Sequence, residues 1–234
     1  MSSIGRLPSE IIIGIDDAPP VPLQMGTPEE GNFCGFEVDL VDEIASRLDL
    51  AIRYRIALWS VIVEELESGM IDAICSAATV TEDRAKVVDF CTPHLTLNLA
   101  AVARADVVAE KLDLATWRVG LRRGTTAERF AMANGVTRPV MLSESNVDLY
   151  DALAAGKIDV MVDDSPIARH FSSAVPGLRY AKDFPDTDGA YAIMVQKGND
   201  TLRAAINGVL ADMENDGSLK RLRQKWLNGG HQKV

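Results

Sequence analysis

The stretch Leu66-Glu-Ser-Gly-Met-Ile-Asp72 joins the end of an amphipathic segment to the start of a short apolar run. The pattern returns as Leu153-Ala-Ala-Gly-Lys-Ile-Asp159, with Leu, Gly, Ile and Asp at the same spacing. In each copy the glycine suits the left-handed conformation in which helices often end, and the run that follows is typical of a buried strand. The two junctions predict two copies of one structural plan, although any two helix–glycine–strand junctions are partly alike.

Short β-rich runs and amphipathic segments alternate on both sides of the first junction. Val41, Ile44, Ala45 and Leu48 fall at helical spacing, and Gly69 suits the end of the helix that follows. The predicted order in the first half is a strand at 11–15, a helix at 37–48, a strand at 51–56, a helix at 60–68 and a strand at 71–77.

The second half repeats this order. Thr125 and Glu128 have the spacing of a capping box, which would begin a helix reaching about residue 134. Both halves therefore predict an α/β fold of two lobes, each with a mainly parallel sheet flanked by helices. The other predicted elements are strands at 118–122, 139–143 and 158–162 and a helix at 146–155 that ends at Gly156.

Two extended runs, at 95–105 and 190–197, separate the predicted halves. We expect the chain to cross between the lobes twice, so that lobe 1 comprises residues 1–98 and 190–234 and lobe 2 is inserted at 99–189. Paired crossover strands form a hinge, and a hinge lets a cleft between two lobes close on a ligand.

The composition is that of a globular protein with an excess of acidic residues. The 234 residues are 47% apolar and 25% charged, and no apolar run reaches the roughly 18 residues of a membrane span. The formal net charge of −10 argues against a broad nucleic-acid-binding face, because phosphate contacts need clustered Lys and Arg. Cys34, Cys75 and Cys91 lack the paired spacing of a zinc site, and we expect small buried residues there and no metal or cofactor.

Polar side chains follow the predicted strands of the first half at their carboxyl ends, where open parallel sheets bind ligands. Asp16 follows the first strand, and the segment from Ala77 and Thr79 onward begins a helix whose N-terminus would favour an anion. Arg84 offers a two-pronged donor suited to a carboxylate, or else pairs with a neighbouring acid on the helix surface. Trp59 either supplies a flat apolar wall for a ligand or packs in the core.

The second half offers a matching set. Arg122, Thr125 and Thr126 follow a predicted strand and begin a helix, so the hydroxyls serve a ligand, cap the helix, or do both. Asp164 follows the last predicted strand, where its carboxylate suits an ammonium group, although Asp163 or Asp164 could equally cap the next helix. An α-amino acid carries a carboxylate and an ammonium group on one carbon, so the two sets together predict a zwitterionic ligand held between the lobes.

Several segments resemble the bacterial extracellular solute-binding proteins of family 3, which have the type 2 periplasmic binding fold. The most specific is Thr79-Val-Thr-Glu-Asp-Arg-Ala-Lys-Val-Val-Asp-Phe90, and the resemblance extends over about residues 10–228. The other matching segments, which are individually weaker, lie at 35–40, 66–72, 124–126, 191–193, 216–219 and 225–227.

The resemblance implies a binding protein for polar amino acids, not an enzyme, that works as a monomer and delivers its ligand to the membrane subunits of an ABC importer. It also implies a periplasmic or extracellular location. The N-terminal MSSIGRLPSE lacks the apolar core of a signal peptide, so we expect such a peptide to have been removed.

The resemblance also implies a role for each candidate residue. Arg122 stands where relatives place a residue near the ligand side chain, and its guanidinium favours an acidic or amide side chain. Pro19 aligns where relatives usually carry an aromatic ring, and His94 also replaces an aromatic, so the identity of the amino acid stays open. Arg84 and Thr79 are assigned to the ligand carboxylate with help from Thr126 and the backbone at Ala77 and Thr125, Asp164 to the ammonium group, and Trp59 to the side chain.

Two alternative functions use the same fold. One is the ligand-sensing domain of a signalling receptor, in which the cleft residues could be the same. The other is an enzyme like the prephenate or arogenate dehydratases, which needs a proton donor facing the leaving hydroxyl. Glu37, His94 and Asp163 are the candidate donors, although nothing in the sequence marks any of them as catalytic.

Overall fold

The computed structural model describes residues 7–107, 112–137 and 139–227. The chain divides into two compact units, of which unit 1 comprises Met1–Thr96 and Ala190–Val234 and unit 2 comprises Leu97–Gly189. The ends of the predicted lobe 1, at 1–6 and 228–234, lie outside the described residues. Within the described ranges, no helix combines the length and the apolar character needed to cross a membrane.

Helices and strands alternate along the chain as expected for an α/β protein. The first part of the chain forms β1 (Glu10–Asp16), α1 (Phe36–Leu48), β2 (Ala51–Ala57), α2 (Trp59–Glu67), β3 (Ala73–Ile74), α3 (Glu82–Ala85), β4 (Val88–Phe90) and β5 (Leu95–Leu97). The middle part forms β6 (Leu99–Arg104), β7 (Val119–Arg122), α4 (Thr126–Ala133), β8 (Met141–Ser143), α5 (Asn146–Ala154), β9 (Val160–Asp164), α6 (Ser165–Ala174) and β10 (Leu178–Asp183). The last part forms β11 (Gly189–Tyr191), β12 (Met194–Gln196), α7 (Asp200–Asn215) and α8 (Ser218–Leu227).

Each unit contains a five-stranded sheet, and the two sheets share one strand plan. The order is β2-β1-β3-β12-β4 in unit 1 and β8-β7-β9-β6-β10 in unit 2. In both sheets the first three strands are parallel, and the fourth, β12 or β6, runs antiparallel to its neighbours. The predicted α/β class with mainly parallel, helix-flanked sheets is confirmed. The chain leaves and re-enters unit 1 through β5 and β11, which pair as a two-stranded sheet.

The repeated junction makes the same contacts in both units. The carboxylate of Asp72 accepts a hydrogen bond from the amide of Ile12 (2.7 Å), and the amide of Asp72 donates to the carbonyl of Ile12 (2.9 Å). Asp159 forms the same two bonds with Arg118, at 3.0 Å and 2.7 Å. Asp72 thereby ties the chain before β3 to β1, and Asp159 ties the chain before β9 to the residue that precedes β7. The two copies of the sequence pattern correspond to two copies of one contact.

Four predicted segments differ from the structure. The predicted strand at 71–77 is regular only in β3, because Ala77 adopts a positive φ of 50° and turns the chain out of the sheet. The strand predicted at 158–162 ends later, as β9, because pairing with β6 extends it to Asp164 opposite Leu99. The extended runs predicted at 95–105 and 190–197 are each divided into two short strands, β5 with β6 and β11 with β12.

Candidate ligand-binding site

In unit 1, a buried hydrogen-bond network joins the carboxyl ends of two parallel strands. The amide of Asp16, the last residue of β1, donates to the hydroxyl of Ser76 (3.1 Å). That hydroxyl donates in turn to the amide oxygen of Gln24 (2.7 Å), whose nitrogen donates to the carbonyl of Cys75 (2.7 Å). Asp16, Gln24 and Ser76 are each at most 3% exposed, so this end of the sheet is held by polar groups that are already paired.

Three of the predicted carboxylate- and side-chain-binding residues lie together in unit 1. The guanidinium of Arg84 donates through Nη1 to the carbonyl of Thr79 (2.8 Å) and lies 4.9 Å from the centre of the Trp59 ring. Trp59 is the first residue of α2 and is 7% exposed, while Arg84 is half-buried. A planar cation held over an aromatic face is well placed to accept a carboxylate from solvent.

The helix that follows Thr79 is a single turn. The segment forms α3, a helix of four residues, with Thr81 as its N-cap and the amide of Arg84 donating to the Thr81 hydroxyl (3.3 Å). A single turn provides few aligned peptide dipoles. The expected attraction of an anion to this helix N-terminus is therefore weak, and Arg84 itself is the cationic group at this position.

The amide of Ala77 is engaged within the protein. It donates to the Glu37 carboxylate at 2.7 Å, and the other oxygen of Glu37 lies 3.0 Å from Nε2 of His94. Glu37 and His94 are each 1% exposed. Ala77 thus contributes to the shape of the loop after β3, and its own N–H points to Glu37.

In unit 2, Arg122 and Thr125 are joined at the end of β7. Arg122 is 6% exposed, and its Nε donates to the carbonyl of Glu144 (2.8 Å). The hydroxyl of Thr125 donates to the carbonyl of Arg122 (2.8 Å) and accepts from the amide of Glu128 (3.2 Å), so Thr125 is the N-cap of α4 as the sequence predicts. Thr126 is the first residue of that helix.

Two adjacent carboxyl groups end strand β9. Asp163 accepts hydrogen bonds from the amide of Asp164 (2.9 Å), from Asn146 (3.0 Å) and from the hydroxyl of Tyr150 (3.1 Å). Burial, followed by the charge of Asp164, raises the pKa of Asp163 to about 8, while its hydrogen bonds and the positive charge of Arg122 act in the opposite direction. Asp164 is 9% exposed and precedes α6 as its N-cap residue.

The residues that support these side chains were not predicted as such from the sequence. From the sequence, Glu37 was considered only as a candidate proton donor, and His94 as a candidate proton donor and as a replacement for an aromatic residue of the relatives. The one available signal for Glu37 was a carboxylate at the start of the helix predicted at 37–48, because a negative charge suits the positive end of the helix dipole. The supporting residues that were not predicted are Gln24, Ser76, Asn146 and Tyr150.

The chain has two units with the same strand order, two crossover strands, and polar side chains at the carboxyl ends of parallel strands. These features define the type 2 periplasmic binding fold. The model of the bacterial extracellular solute-binding proteins, family 3, matches residues 11–229. The chain belongs to this family. Among the described residues, no group of three or more His, Cys, Asp or Glu side chains could hold a metal ion.

Individual relatives agree in length and fold. The chain is 29% identical over 231 residues to the L-arginine-binding protein of Pseudomonas aeruginosa, covering 92% of the chain and 87% of the relative. An ancestral arginine-binding protein bound to arginine is 27% identical with a TM-score of 0.85, and the match covers 94% of the chain and 99% of that structure. The ancestral amino acid-binding protein AncCDT-1, a precursor of cyclohexadienyl dehydratase, is 26% identical with a TM-score of 0.83, covering 94% and 95%. These relatives are named as binding proteins, and the comparisons do not favour the receptor or dehydratase alternatives.

Proposed function

We propose that the chain binds one free amino acid and contacts it with both units, for delivery to the membrane subunits of an ABC importer. Arg84 and Thr79 of unit 1 bind the carboxylate, and Asp164 of unit 2 binds the ammonium group. Trp59 lies against the ligand side chain, and Thr125 and Thr126 add hydrogen-bond donors at the start of α4. Asp16, the last residue of β1, lies next to Ser76 at the carboxyl end of that strand in unit 1.

The observation that carries this proposal is the arrangement of Arg84. Its guanidinium is oriented by the Thr79 carbonyl and by the Trp59 ring, so its planar face and donors are fixed before a ligand arrives. A preorganised guanidinium binds a carboxylate at a lower entropic cost than a mobile one. Asp164, nearly buried at the end of β9, provides the opposite charge that an ammonium group requires.

A thermal-shift screen against the standard amino acids, followed by calorimetry, tests the proposal. An amino acid present at a hundredfold excess over its Kd stabilises the protein by about 2.7 kcal/mol. Arg84→Ala should weaken that binding by about 2–5 kcal/mol, because it leaves a carboxylate without its charged partner. Lys86→Ala is the matched control, since Lys86 is 72% exposed and paired with an exposed Asp83. Unchanged affinity in Arg84→Ala removes Arg84 from the site.

We propose further that the bound amino acid has an acidic or amide side chain. The nearly buried guanidinium of Arg122 places a positive charge at the end of β7, which favours a carboxylate or amide oxygen and disfavours a second cation. L-glutamate or L-glutamine should therefore bind more tightly than L-arginine, and Arg122→Leu should reduce that preference. Tighter binding of L-arginine to the unaltered protein would refute the side-chain assignment and leave the amino-acid site intact.

We propose that the protein does not transform its ligand and that it acts as a monomer in the periplasm or outside the cell. Glu37, His94 and Asp163, the candidate proton donors for a dehydratase, are all buried and hydrogen-bonded within the protein. Incubation with prephenate should yield no product above the uncatalysed rate. Light scattering should give a mass near 25.4 kDa, and cell fractionation should find the protein outside the cytoplasm.

A further inference from the structure

Ala77 has a backbone conformation that alanine rarely adopts. Its φ is 50°, and the other described non-glycine residues with positive φ, Asp49 and Asp186, both have side-chain oxygens that help to stabilise this conformation. Alanine has no such group, so the conformation must be imposed by the surroundings. Ala77 lies between Ser76, which is bonded to the end of β1, and the Thr79 carbonyl that orients Arg84.

The constraint on Ala77 comes from Glu37. Its carboxylate accepts the Ala77 N–H at 2.7 Å, and a hydrogen bond to a charged acceptor is about twice as strong as one between neutral groups. Glu37 lies in the first turn of α1, where the helix dipole stabilises a negative charge. At 1% exposure the carboxylate is shielded from water that would otherwise compete for the amide.

His94 keeps the Glu37 side chain in place. Its Nε2 lies 3.0 Å from the second oxygen of Glu37. The His94 backbone is held as well, because its amide donates to the carbonyl of Tyr191 (3.0 Å) and its carbonyl accepts two hydrogen bonds from Arg223, at 2.9 Å and 3.1 Å. A chain of hydrogen bonds therefore runs from α8 through His94 and Glu37 to Ala77.

We infer that Glu37 is a positioning residue for ligand binding, which sets the shape of residues 76–79 by holding the Ala77 amide. It does not touch the ligand; it fixes the loop from which the Thr79 carbonyl orients the Arg84 guanidinium. The inference rests on the proposed function, in which Arg84 and Thr79 bind the carboxylate of an amino acid. A carboxylate that served only the folding of unit 1 would affect unfolding without this specific effect on affinity.

The first test compares Glu37→Gln with the unaltered protein in calorimetric titrations with L-glutamate, L-glutamine and L-arginine. Glutamine keeps the shape and one acceptor but lacks the charge, so we expect about tenfold weaker binding of the preferred amino acid. The control is Glu43→Gln on the same helix, in a half-exposed pair with Arg47, which should leave the affinity unchanged. Wild-type affinity in Glu37→Gln refutes the inference while the proposed function stands. Failure of the unaltered protein to bind any amino acid refutes the proposed function, and the inference fails with it.

The second test asks whether Glu37 acts through Ala77. Glycine adopts a positive φ without strain, so Ala77→Gly should make the loop shape less dependent on Glu37. In the Ala77→Gly background, Glu37→Gln should weaken binding by less than threefold, compared with about tenfold in the unaltered protein. If Glu37→Gln lowers the affinity by the same factor in both backgrounds, Glu37 does not act through the conformation of Ala77, and the inference is overturned.

A measurement on the unaltered protein covers the case in which Glu37→Gln fails to fold. Hydrogen exchange of the Ala77 amide, followed by NMR without added amino acid, should be at least a hundredfold slower than in an unstructured peptide. Ala77 is only half-buried, so protection of this size requires the hydrogen bond to Glu37. Exchange at the unstructured rate shows that the amide is not held and overturns the inference.

Discussion

At the scale of single residues, the pair Asp163 and Asp164 places two carboxyl groups at one buried strand end. Two neighbouring carboxylates repel each other, and burial disfavours each charge, so the pair holds a proton more readily than an exposed carboxyl group. Tyr150, Asn146 and the amide of Asp164 all donate to Asp163, which orients its oxygens whether or not it is protonated. In the proposed function, the neighbouring Asp164 binds the ammonium group of the ligand.

This arrangement predicts a pH dependence of stability. The pKa of Asp163 is raised from 3.8 to about 8 by folding, so between these values the folded protein binds more protons than the unfolded chain. The contribution of Asp163 to stability is therefore complete below pH 4, falls as the pH rises toward 8, and is constant above it. The slope of this contribution against pH cannot exceed about 1.4 kcal/mol per pH unit for one proton.

Urea unfolding at several pH values should show that Asp163→Asn gains stability relative to the unaltered protein from pH 4 to pH 8. A difference that does not change with pH would show that Asp163 does not take up this proton.

The residues of the candidate site and the hydrogen bonds that support them could be predicted only in part. Arg84, Thr79, Asp164 and Thr125 were selected as candidates because they follow predicted strands, where ligands and helix caps are expected. The bond from Ala77 to Glu37 joins residues 40 positions apart, and the bond from Ser76 to Gln24 joins residues 52 apart. Pairs at such separations are set by the packing of whole elements, and a single sequence contains no periodic signal for them.

At the scale of elements, β1 and β7 occupy corresponding places in the two sheets, and each contains a glycine that faces the helix layer. A β-carbon on Gly14 would lie 2.5 Å from Cδ1 of Ile71, and one on Gly120 would lie 2.4 Å from Cδ1 of Ile158. Both isoleucines belong to the repeated junction and are at most 1% exposed, so a shift of either Cδ1 has to take place within the packed interior. The repeat is therefore a packing unit, in which a strand glycine accommodates the isoleucine of the junction.

We predict that Gly14→Ala and Gly120→Ala each destabilise the protein by about 1–3 kcal/mol through overpacking. Gly208→Ala is the control, since nothing lies within 4 Å of a β-carbon at that position in α7. It should stabilise the protein by about 0.5–1 kcal/mol, because alanine favours a helix more than glycine does. Urea unfolding of the three variants measures both effects. A neutral result at both strand positions would mean that the isoleucines can repack and that the glycines are not required.

Element boundaries were predicted best where one face of an element is buried and the other exposed. Val41, Ile44 and Ala45 are buried in α1 as their spacing predicts, and the helix ends at Leu48 as expected. The strand predicted at 71–77 was too long, because the apolar run continues beyond β3 through residues that leave the sheet. Burial continues beyond β3, and hydropathy therefore could not reveal where the regular strand ends.

At the scale of the whole molecule, each unit supplies one charged group to the proposed site. Arg84 belongs to unit 1, in the helix α3 that follows β3, and Asp164 belongs to unit 2, at the end of β9. The strands β3 and β9 occupy corresponding places in the two sheets. An amino acid that contacts both residues stabilises only the arrangement of units in which both contacts form. Its affinity is then a property of the two units together, because a ligand shifts an equilibrium only by its differential affinity for the two states.

This dependence predicts that losses of affinity at the two charged residues are not additive. Arg84→Ala and Asp164→Ala should each weaken the binding of the preferred amino acid by about 2–5 kcal/mol, since each leaves one charge of the ligand without its partner. In the double variant the loss should be smaller than the sum by at least about 1 kcal/mol, because an amino acid released at one end no longer holds the two units together. Competitive calorimetry extends the measurement to weak binding, and Lys86→Ala combined with Asp164→Ala gives the additive reference. If the two losses add fully, the carboxylate and ammonium contacts are independent, and one ligand bridging both units cannot explain the binding.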